Sequence, residues 1–310
     1  MSTIGVDLGG TKIMAVLVDD GEIVAKAKKA TPRVGTPGDV IDKIVAAIRK
    51  VDPDGTASAV GIGVPGPVRP DTGVVPAAPN LPGWDHDVDV AAALSSALDG
   101  VTVRVDNDVN VGTLAEYRMG AGRGTDDLLG VFAGTGVGAG LILDGRLRQG
   151  PRGMAGEIGH SFVAFGDLGT AEIGRGELED YAGRNSLERR ARARHAAGEP
   201  TMLVDLAVDG RMKSSVWEEA VAAGDAMAVE LVADATSALA AAMANVIAIV
   251  DVELVVLGGG FADRLGEPFR SAVERELHQR SFAGTTAPLR EAVLGDTGGA
   301  LGAALLVEDC

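Results

Sequence analysis

With 310 residues the chain exceeds what one compact core usually holds, so two domains of unequal size are expected. Apolar residues make up 46% of it and aromatic ones only 3%, while 44 glycines are about twice the usual share, which points to turns and to backbone lying close to neighbours or ligands. Forty-four acidic against 28 basic side chains give a net charge of −16, a field that repels polyanions and argues against nucleic-acid or anionic-membrane binding.

Residues 4–8 read as a short apolar strand that ends in Asp7 and runs into Gly9-Gly10-Thr11-Lys12. A second strand is expected over 12–18. Asp20-Gly21 then forms a two-residue hairpin signal before a third strand at 22–28. Asp39 is read as the cap of a helix whose apolar face is Val40, Ile41, Ile44, Val45 and Ile48. A strand from Ala59 to Val64 enters the turn Pro65-Gly66-Pro67. The glycines at 61, 63 and 66 are spaced as in a dinucleotide-binding loop, but Pro65 lacks an N–H and no helix start follows, so that spacing is read as incidental.

Val101 to Val105 alternates like a strand and carries Asp106-Asn107-Asp108 at its carboxyl end, where open α/β sheets bind ligands. A carboxylate there can accept the proton of an attacking hydroxyl, and an Asn can donate to and accept from neighbouring hydroxyls. An Asx turn that merely ends the strand would use the same residues.

Leu128 to Phe132 begins a second run of strand, glycine loop (134–140), strand (Leu141 to Leu143), Asp144-Gly145 turn and return strand (Arg146 to Gln149). The same order occurs in residues 4–28, which suggests a duplicated unit. Gly156-Glu157-Ile158-Gly159-His160 places a carboxylate and an imidazole three residues apart in a glycine-flanked loop, suited to reading hydroxyls or simply exposed to solvent. Helices are expected at about 179–197, 214–223 and 225–250, then a strand from Leu254 to Leu257 entering Gly258-Gly259-Gly260, and a last helix at about 297–307. Strand-terminal glycine loops free backbone N–H groups for anions, or serve as ordinary turns. Alternating strands and helices argue for an α/β fold.

The apolar run Leu239 to Val250 is interrupted by Asn245 and is too short to cross a bilayer. Cys310 is the only cysteine, so no intrachain disulfide can form. The N-terminus has neither a basic stretch nor an apolar leader core. A cytoplasmic location is expected.

Taken in order, Asp7-Leu-Gly-Gly-Thr-Lys12, Gly61-Ile-Gly-Val-Pro-Gly-Pro67, Asn80-Leu-Pro-Gly-Trp84, Asp106-Asn-Asp108, Gly134-Thr-Gly-Val-Gly-Ala-Gly140, Gly156-Glu-Ile-Gly-His160 and Leu257-Gly-Gly-Gly260 resemble the ROK family of sugar kinases. The resemblance runs from residue 4 to about 307. It implies a two-domain actin-like, hexokinase-like (ribonuclease H-like) α/β fold with a cleft between domains. The repeat puts the domain boundary near 118, so residues 1–118, with 292–310 folded back onto them as the resemblance implies, would form the smaller domain, and 119–291 the larger. The resemblance implies phosphorylation of a hexose, glucose first, by ATP with Mg²⁺, in a homodimer. Asp108 would be the general base, and Asn107, Glu157, His160 and Glu179 would hold the sugar hydroxyls. Asp7, Gly9, Gly10, Thr11, Lys12, Gly134, Thr135, Gly136, Gly258, Gly259 and Gly260 would line the nucleotide, with Asp7 near the metal through water.

Two alternatives stay open: a kinase for another sugar, such as an N-acylhexosamine or fructose, and a sugar-sensing regulator without catalysis. Regulators in the family carry a DNA-binding domain ahead of the kinase-like part, whereas here the first strand begins at Ile4 and Asp108 is intact. Polyphosphate as donor is also left open.

One departure is plain. The family commonly follows its Gly-His with a zinc motif, Cys-x-Cys-Gly-x-x-Gly-Cys-x-Glu, which falls here on residues 170–179. Thr170, Glu172 and Glu177 occupy the cysteine positions. Thiolates are the expected ligands of structural zinc, so no zinc is expected, and something else must orient His160.

Overall fold

Strand β1 (Thr3–Leu8) is flanked by β2 (Lys12–Asp19), antiparallel, and by β4 (Ala59–Val64), parallel. β3 (Glu22–Ala30) continues beyond β2, and β7 (Thr102–Asn107) lies parallel to β4, giving the order β3-β2-β1-β4-β7. Asp20 and Gly21 both have positive φ, 48° and 79°, as the tight β2–β3 hairpin turn demands. β5 (Val74–Val75) and β6 (Val88–Asp89) form a separate antiparallel ribbon. The computed structural model describes residues 1–78, 80–165, 174–282 and 287–308.

Helix α1 (Pro37–Val51) buries Val40, Ile44, Val45 and Ile48 in the same core as Val6, Leu8, Ile13 and Ile62 of the sheet. Its cap is Thr36 rather than Asp39. Asp39 sits three residues on and closes a capping box, accepting from Thr36 N at 2.8 Å. Two further helices, α2 (Val90–Ala97) and α3 (Asp108–Met119), flank β7. The sequence reading stops at Asp108 as a strand end, whereas Asn107 caps α3 and Asp108 opens it.

The last helix, α10 (Gly298–Leu305), packs with Met14, Val16, Val18 and Ala115 in a second core. Its approach is unusually close. A Cβ on Gly5 would stand 1.8 Å from Ala300 O, and one on Gly61 1.7 Å from Ala303 O. Gly302 in turn admits Val111 O of α3 at 1.7 Å from where its Cβ would be. These glycines let backbone lie on backbone.

A second sheet has the order β10-β9-β8-β11-β12. Its strands are β8 (Leu128–Ala133), β9 (Val137–Leu143), β10 (Arg146–Leu147), β11 (Leu254–Gly258) and β12 (Leu289–Glu291). β11 runs parallel to both β8 and β12, as β4 does to β1 and β7. Asp144 and Gly145 repeat the positive φ values of the first hairpin, 53° and 71°. The duplication expected from sequence is therefore one of whole sheets. The glycine loop is shorter than expected, because β9 already begins at Val137.

The expected helix at 179–197 is two, α4 (Leu178–Ala182) and α5 (Arg184–Ala196), broken at Gly183, whose ψ of 128° is extended. A Cβ on Gly183 would stand 3.4 Å from Gly136 Cα, so the break lets the chain pass close to the glycine turn. α6 (Leu203–Leu206), α7 (Ser214–Ala222) and α8 (Ala226–Val250) follow. By length and composition α8 is long and apolar enough to cross a membrane, beyond what the run from 239 to 250 suggests. Within the fold Leu231, Leu239 and Met243 of this helix are fully buried, whereas Ile249 is exposed. α9 (Ala262–Arg280) went unanticipated. Its charged sequence, with Gly266 at φ 69° and Pro268 beside it, obscures the apolar stripe of Phe269, Val273 and Leu277.

By contacts the chain divides into two compact units, Met1–Asp126 with Gly140–Gly156 and Val293–Cys310, and Asp127–Ala139 with Glu157–Ala292. Residues 140–156, placed in the larger domain on the strength of the repeat, group with the first unit, where Gln149 Nε2 donates to Asp106 Oδ2 at 2.7 Å.

Candidate active site

In the first unit, register brings the acidic motifs together. Asp7 pairs with Gly63 across β1 and β4, and Gly63 pairs with Asp106 across β4 and β7. Both motifs thus stand at one level, at the carboxyl end of the parallel strands. Gly63 has a local reason: its Cβ would meet Val111 Cγ2 at 2.5 Å and Asp108 Cα at 3.3 Å, so glycine lets the first turn of α3 settle over β4.

Asn107 is spent largely on structure. Its Oδ1 accepts from Val109 N at 2.9 Å and Asn110 N at 3.2 Å, while Nδ2 donates to Gly66 O at 3.1 Å. One amide hydrogen remains for a ligand. Asp108, half-buried in the first turn of α3, accepts from Val109 N at 2.9 Å. Behind it Asp106 is buried and accepts from Asn107 N, Asn110 Nδ2 and Gln149 Nε2, at 2.7, 2.9 and 2.7 Å. Burial outweighs those bonds and raises its pKa. Sequence reasoning gave Asp106 and Gln149 no role. Only the alternation of β7, which turns residue 106 to the side opposite 105 and 107, signals it.

Gly9 and Gly10 form the turn between β1 and β2, closed by Gly9 N donating to Lys12 O at 2.9 Å and by Thr31 Oγ1 donating to Gly9 O at 2.6 Å. Thr11 O accepts from Thr31 N at 3.1 Å. Asp7 has a raised pKa, chiefly from burial, with Lys12 opposing and Asp296 adding to it. Lys12 Nζ lies 2.8 Å from Asp296 Oδ1, and Lys28 Nζ lies 3.0 Å from Oδ2. Asp296 was not foreseen, since nothing in its own neighbourhood in sequence marks it.

In the second unit Glu157 precedes a 3₁₀ turn, Ile158–His160. Its pKa is raised by burial first, with His160 lowering it and Glu179 raising it. Glu179 faces the glycine turn. Its Oε2 accepts from Val137 N at 2.8 Å, and a Cβ on Gly136 would stand 2.2 Å from that oxygen. Arg184 donates to Thr135 Oγ1 at 3.3 Å, and Asn185 N to Thr135 O at 3.1 Å. The turn at 134–136 is therefore fixed from beneath by α4 and α5.

β11 delivers Gly258, Gly259 and Gly260 to the start of α9. Gly259 has φ 95°, and its Cβ would stand 2.5 Å from Ala133 O. At Gly134 and Gly260, by contrast, a Cβ would meet no protein atom within 4 Å, and neither has a left-handed φ. Packing explains Gly259. It does not explain Gly134 or Gly260, where the missing side chain leaves room above the backbone for a ligand beside a helix N-terminus.

His160 is exposed, with Nδ1 3.0 Å from Glu177 Oε2. Thr170 and Glu172, the other two positions of the cysteine pattern, lie outside the described residues. Among the described residues no group of three or more His, Cys, Asp or Glu is arranged to hold a metal.

A profile of the ROK family matches residues 3–310. A glucokinase from Thermotoga maritima is 33% identical over 319 aligned residues, covering 100% of this chain and 98% of its own. An N-acetyl-D-glucosamine kinase from Pasteurella multocida is 32% identical, with 97% and 98% covered. Among solved structures, a ROK family glucokinase from Streptomyces griseus, in complex with glucose and AMPPNP, is 34% identical over 100% of both chains, with a TM-score of 0.82.

Proposed function

The chain belongs to the ROK family and has its actin-like, hexokinase-like fold, and from that premise we propose that it transfers the γ-phosphoryl group of ATP to glucose, giving glucose 6-phosphate. The observation that carries this reading is Asp108, a half-buried carboxylate in the first turn of α3 at the carboxyl end of the parallel strands. The relatives named glucokinase, and the one bound to glucose and AMPPNP, support the choice of sugar and nucleotide.

In this reading Asp108 takes the proton from the attacking hexose hydroxyl. The oxygen–phosphorus bond forms as the bond to the ADP oxygen breaks, and the proton stays on the carboxylate. The remaining amide hydrogen of Asn107, with Glu157, His160 and Glu179, binds the other hydroxyls. The turns at Gly9-Gly10-Thr11-Lys12, Gly134-Thr135-Gly136 and Gly258-Gly259-Gly260 hold the nucleotide through backbone N–H groups.

Mg²⁺ fits the residues present. Asp7 is a hard oxygen donor whose burial disfavours a lone charge, so an arriving cation relieves that cost. Bound with ATP, the metal would neutralise charge on the phosphates. We assign no zinc, since the chain has one cysteine, at position 310. A cytoplasmic homodimer belongs to the same reading and is supported by the family resemblance alone.

A kinase for an N-acetylated hexosamine is the second reading, favoured by the relative at 32% identity. The test is turnover of ATP·Mg²⁺ against a panel of hexoses. Glucose should exceed N-acetylglucosamine in kcat/KM by roughly tenfold or more. A preferred N-acetyl sugar would replace the substrate, and no turnover of any hexose would overturn the kinase reading.

A further inference from the structure

His160 poses a problem of geometry. Its side chain is 63% exposed, and such an imidazole on a short 3₁₀ turn has two rotatable bonds with little packing among the described residues to fix them. A residue that reads a hydroxyl has to present one ring nitrogen in one direction.

We propose that Glu177 is the positioning residue for His160: its carboxylate holds Nδ1 and leaves Nε2 as the edge that meets the sugar. This rests on the reading in which His160 binds a hexose hydroxyl.

Glu177 is suited to the task because it is itself fixed on every side. Its backbone N–H donates to Asp180 Oδ2 at 3.2 Å, as do those of Arg175 and Gly176 at 2.8 and 3.1 Å. Its backbone pairs with Phe162 in an isolated bridge. Next to it Leu178 N donates to Ser161 O at 2.8 Å, and Val163 N to Gly176 O at 3.0 Å. The segment carrying His160 and the segment carrying Glu177 are thus stitched together by main chain before any side chain is considered.

The side chain of Glu177 is 15% exposed, so its 3.0 Å contact with Nδ1 is less screened than a surface pair. Its other oxygen takes Arg175 Nη1 at 3.3 Å, and that guanidinium lies 5.6 Å from the centre of the Phe162 ring. Both carboxylate oxygens are therefore engaged, and rotation would break both contacts. Glu177 also caps α4, in a capping box with Asp180. Ser, Thr, Asp or Asn is the usual choice at that position, and a glutamate reaches further, here to His160.

A raised pKa for His160, owed first to the bond with Glu177 and opposed by burial, agrees with this arrangement. With Nδ1–H donating to Glu177, Nε2 is left for a hydroxyl, accepting from it in the neutral ring and donating to it in the protonated one.

The experiment is a double-mutant cycle on the purified full-length protein, with glucose and ATP·Mg²⁺. Glu177→Ala should raise the KM for glucose about 10–100-fold while kcat and the KM for ATP stay within about threefold. Glu177→Gln keeps an acceptor and should lose less, and it serves if the alanine variant does not fold. In a His160→Ala background either change should add almost nothing, because Glu177 acts through the ring. Losses that multiply in the double mutant, or an unchanged glucose KM in Glu177→Ala, would overturn the proposal.

Nitrogen-15 spectra of the imidazole give a readout independent of turnover. The His160 signals should report a protonated Nδ1 and should shift in Glu177→Gln. Unshifted signals would overturn the contact. A wild-type protein inert to every hexose would overturn the kinase reading instead, and the ring signals would still decide whether Glu177 holds His160.

Discussion

Asp106 and Asp108 are two residues apart and do opposite work. Asp108 opens α3 and is half-buried, whereas Asp106 is buried among neutral donors that do not offset the cost of its charge. Asp108→Asn should lower kcat about 10²–10⁴-fold with little change in glucose binding, since it keeps the shape and loses the proton acceptor. Near wild-type turnover would show that the base lies elsewhere. For Asp106 the consequence is one of stability. Its folded pKa is raised above the usual 3.8, so between that value and the folded one the folded chain binds the extra proton. Stability therefore falls as pH rises through that window and stays lower above it. Asp106→Asn should make that slope shallower without unfolding the chain, because the Gln149 amide can turn to offer its oxygen to the new NH₂. Melting temperatures across pH 4–8 read this directly, and an unchanged slope would assign the effect to Asp7 and Glu157, whose pKa values are raised for the same reason. The motif 106–108 was legible because a polar triplet ends an alternating strand. The difference between its two carboxylates was not, since it depends on Gln149, which only the fold brings near.

At the level of elements, what local chemistry dictates was readable and what tertiary packing dictates was not. Two Asp-Gly pairs announced both hairpins, and both adopt the left-handed backbone such turns require. Helix α9 escaped notice because few apolar residues mark it, and the break between α4 and α5 because only the approach to Gly136 explains it. Glycines divide into two kinds that sequence does not separate. Gly61→Ala or Gly302→Ala forces a methyl group onto a carbonyl oxygen and should cost about 1–3 kcal/mol or more, seen as a lower denaturation midpoint. Gly134→Ala and Gly260→Ala meet no protein atom and should leave stability within about 0.5 kcal/mol. Their expected effect is a higher KM for ATP. If both kinds behaved alike in melting and in kinetics, the assignment of 134 and 260 to the nucleotide would fail.

Across the whole molecule, two sheets of identical strand order carry the glycine turns at corresponding β1–β2 and β8–β9 positions. One sequence repeat, two hairpins long, was enough to expect duplication. Its extension to the parallel strands β4, β7, β11 and β12 rests on pairing that no local pattern encodes. The net charge of −16 acts at this scale too. The protein should fail to retard duplex DNA at low salt, with or without glucose, where a regulator would bind. Glucose at saturating concentration should raise the melting temperature, and no shift would argue that the sugar site is absent.

The late position of α10 in the chain has a bearing on synthesis. Met14, Val16 and Val18 are made early, yet the helix that covers them ends at Leu305. While the ribosome works through the residues after α3, that face of the first sheet is apolar and covered only in part, by α3, and it needs shielding from other nascent chains. Chains stalled or clipped before Gly298 would carry a finished sheet with an apolar gap on one face beside α3, the form of this protein most prone to aggregate.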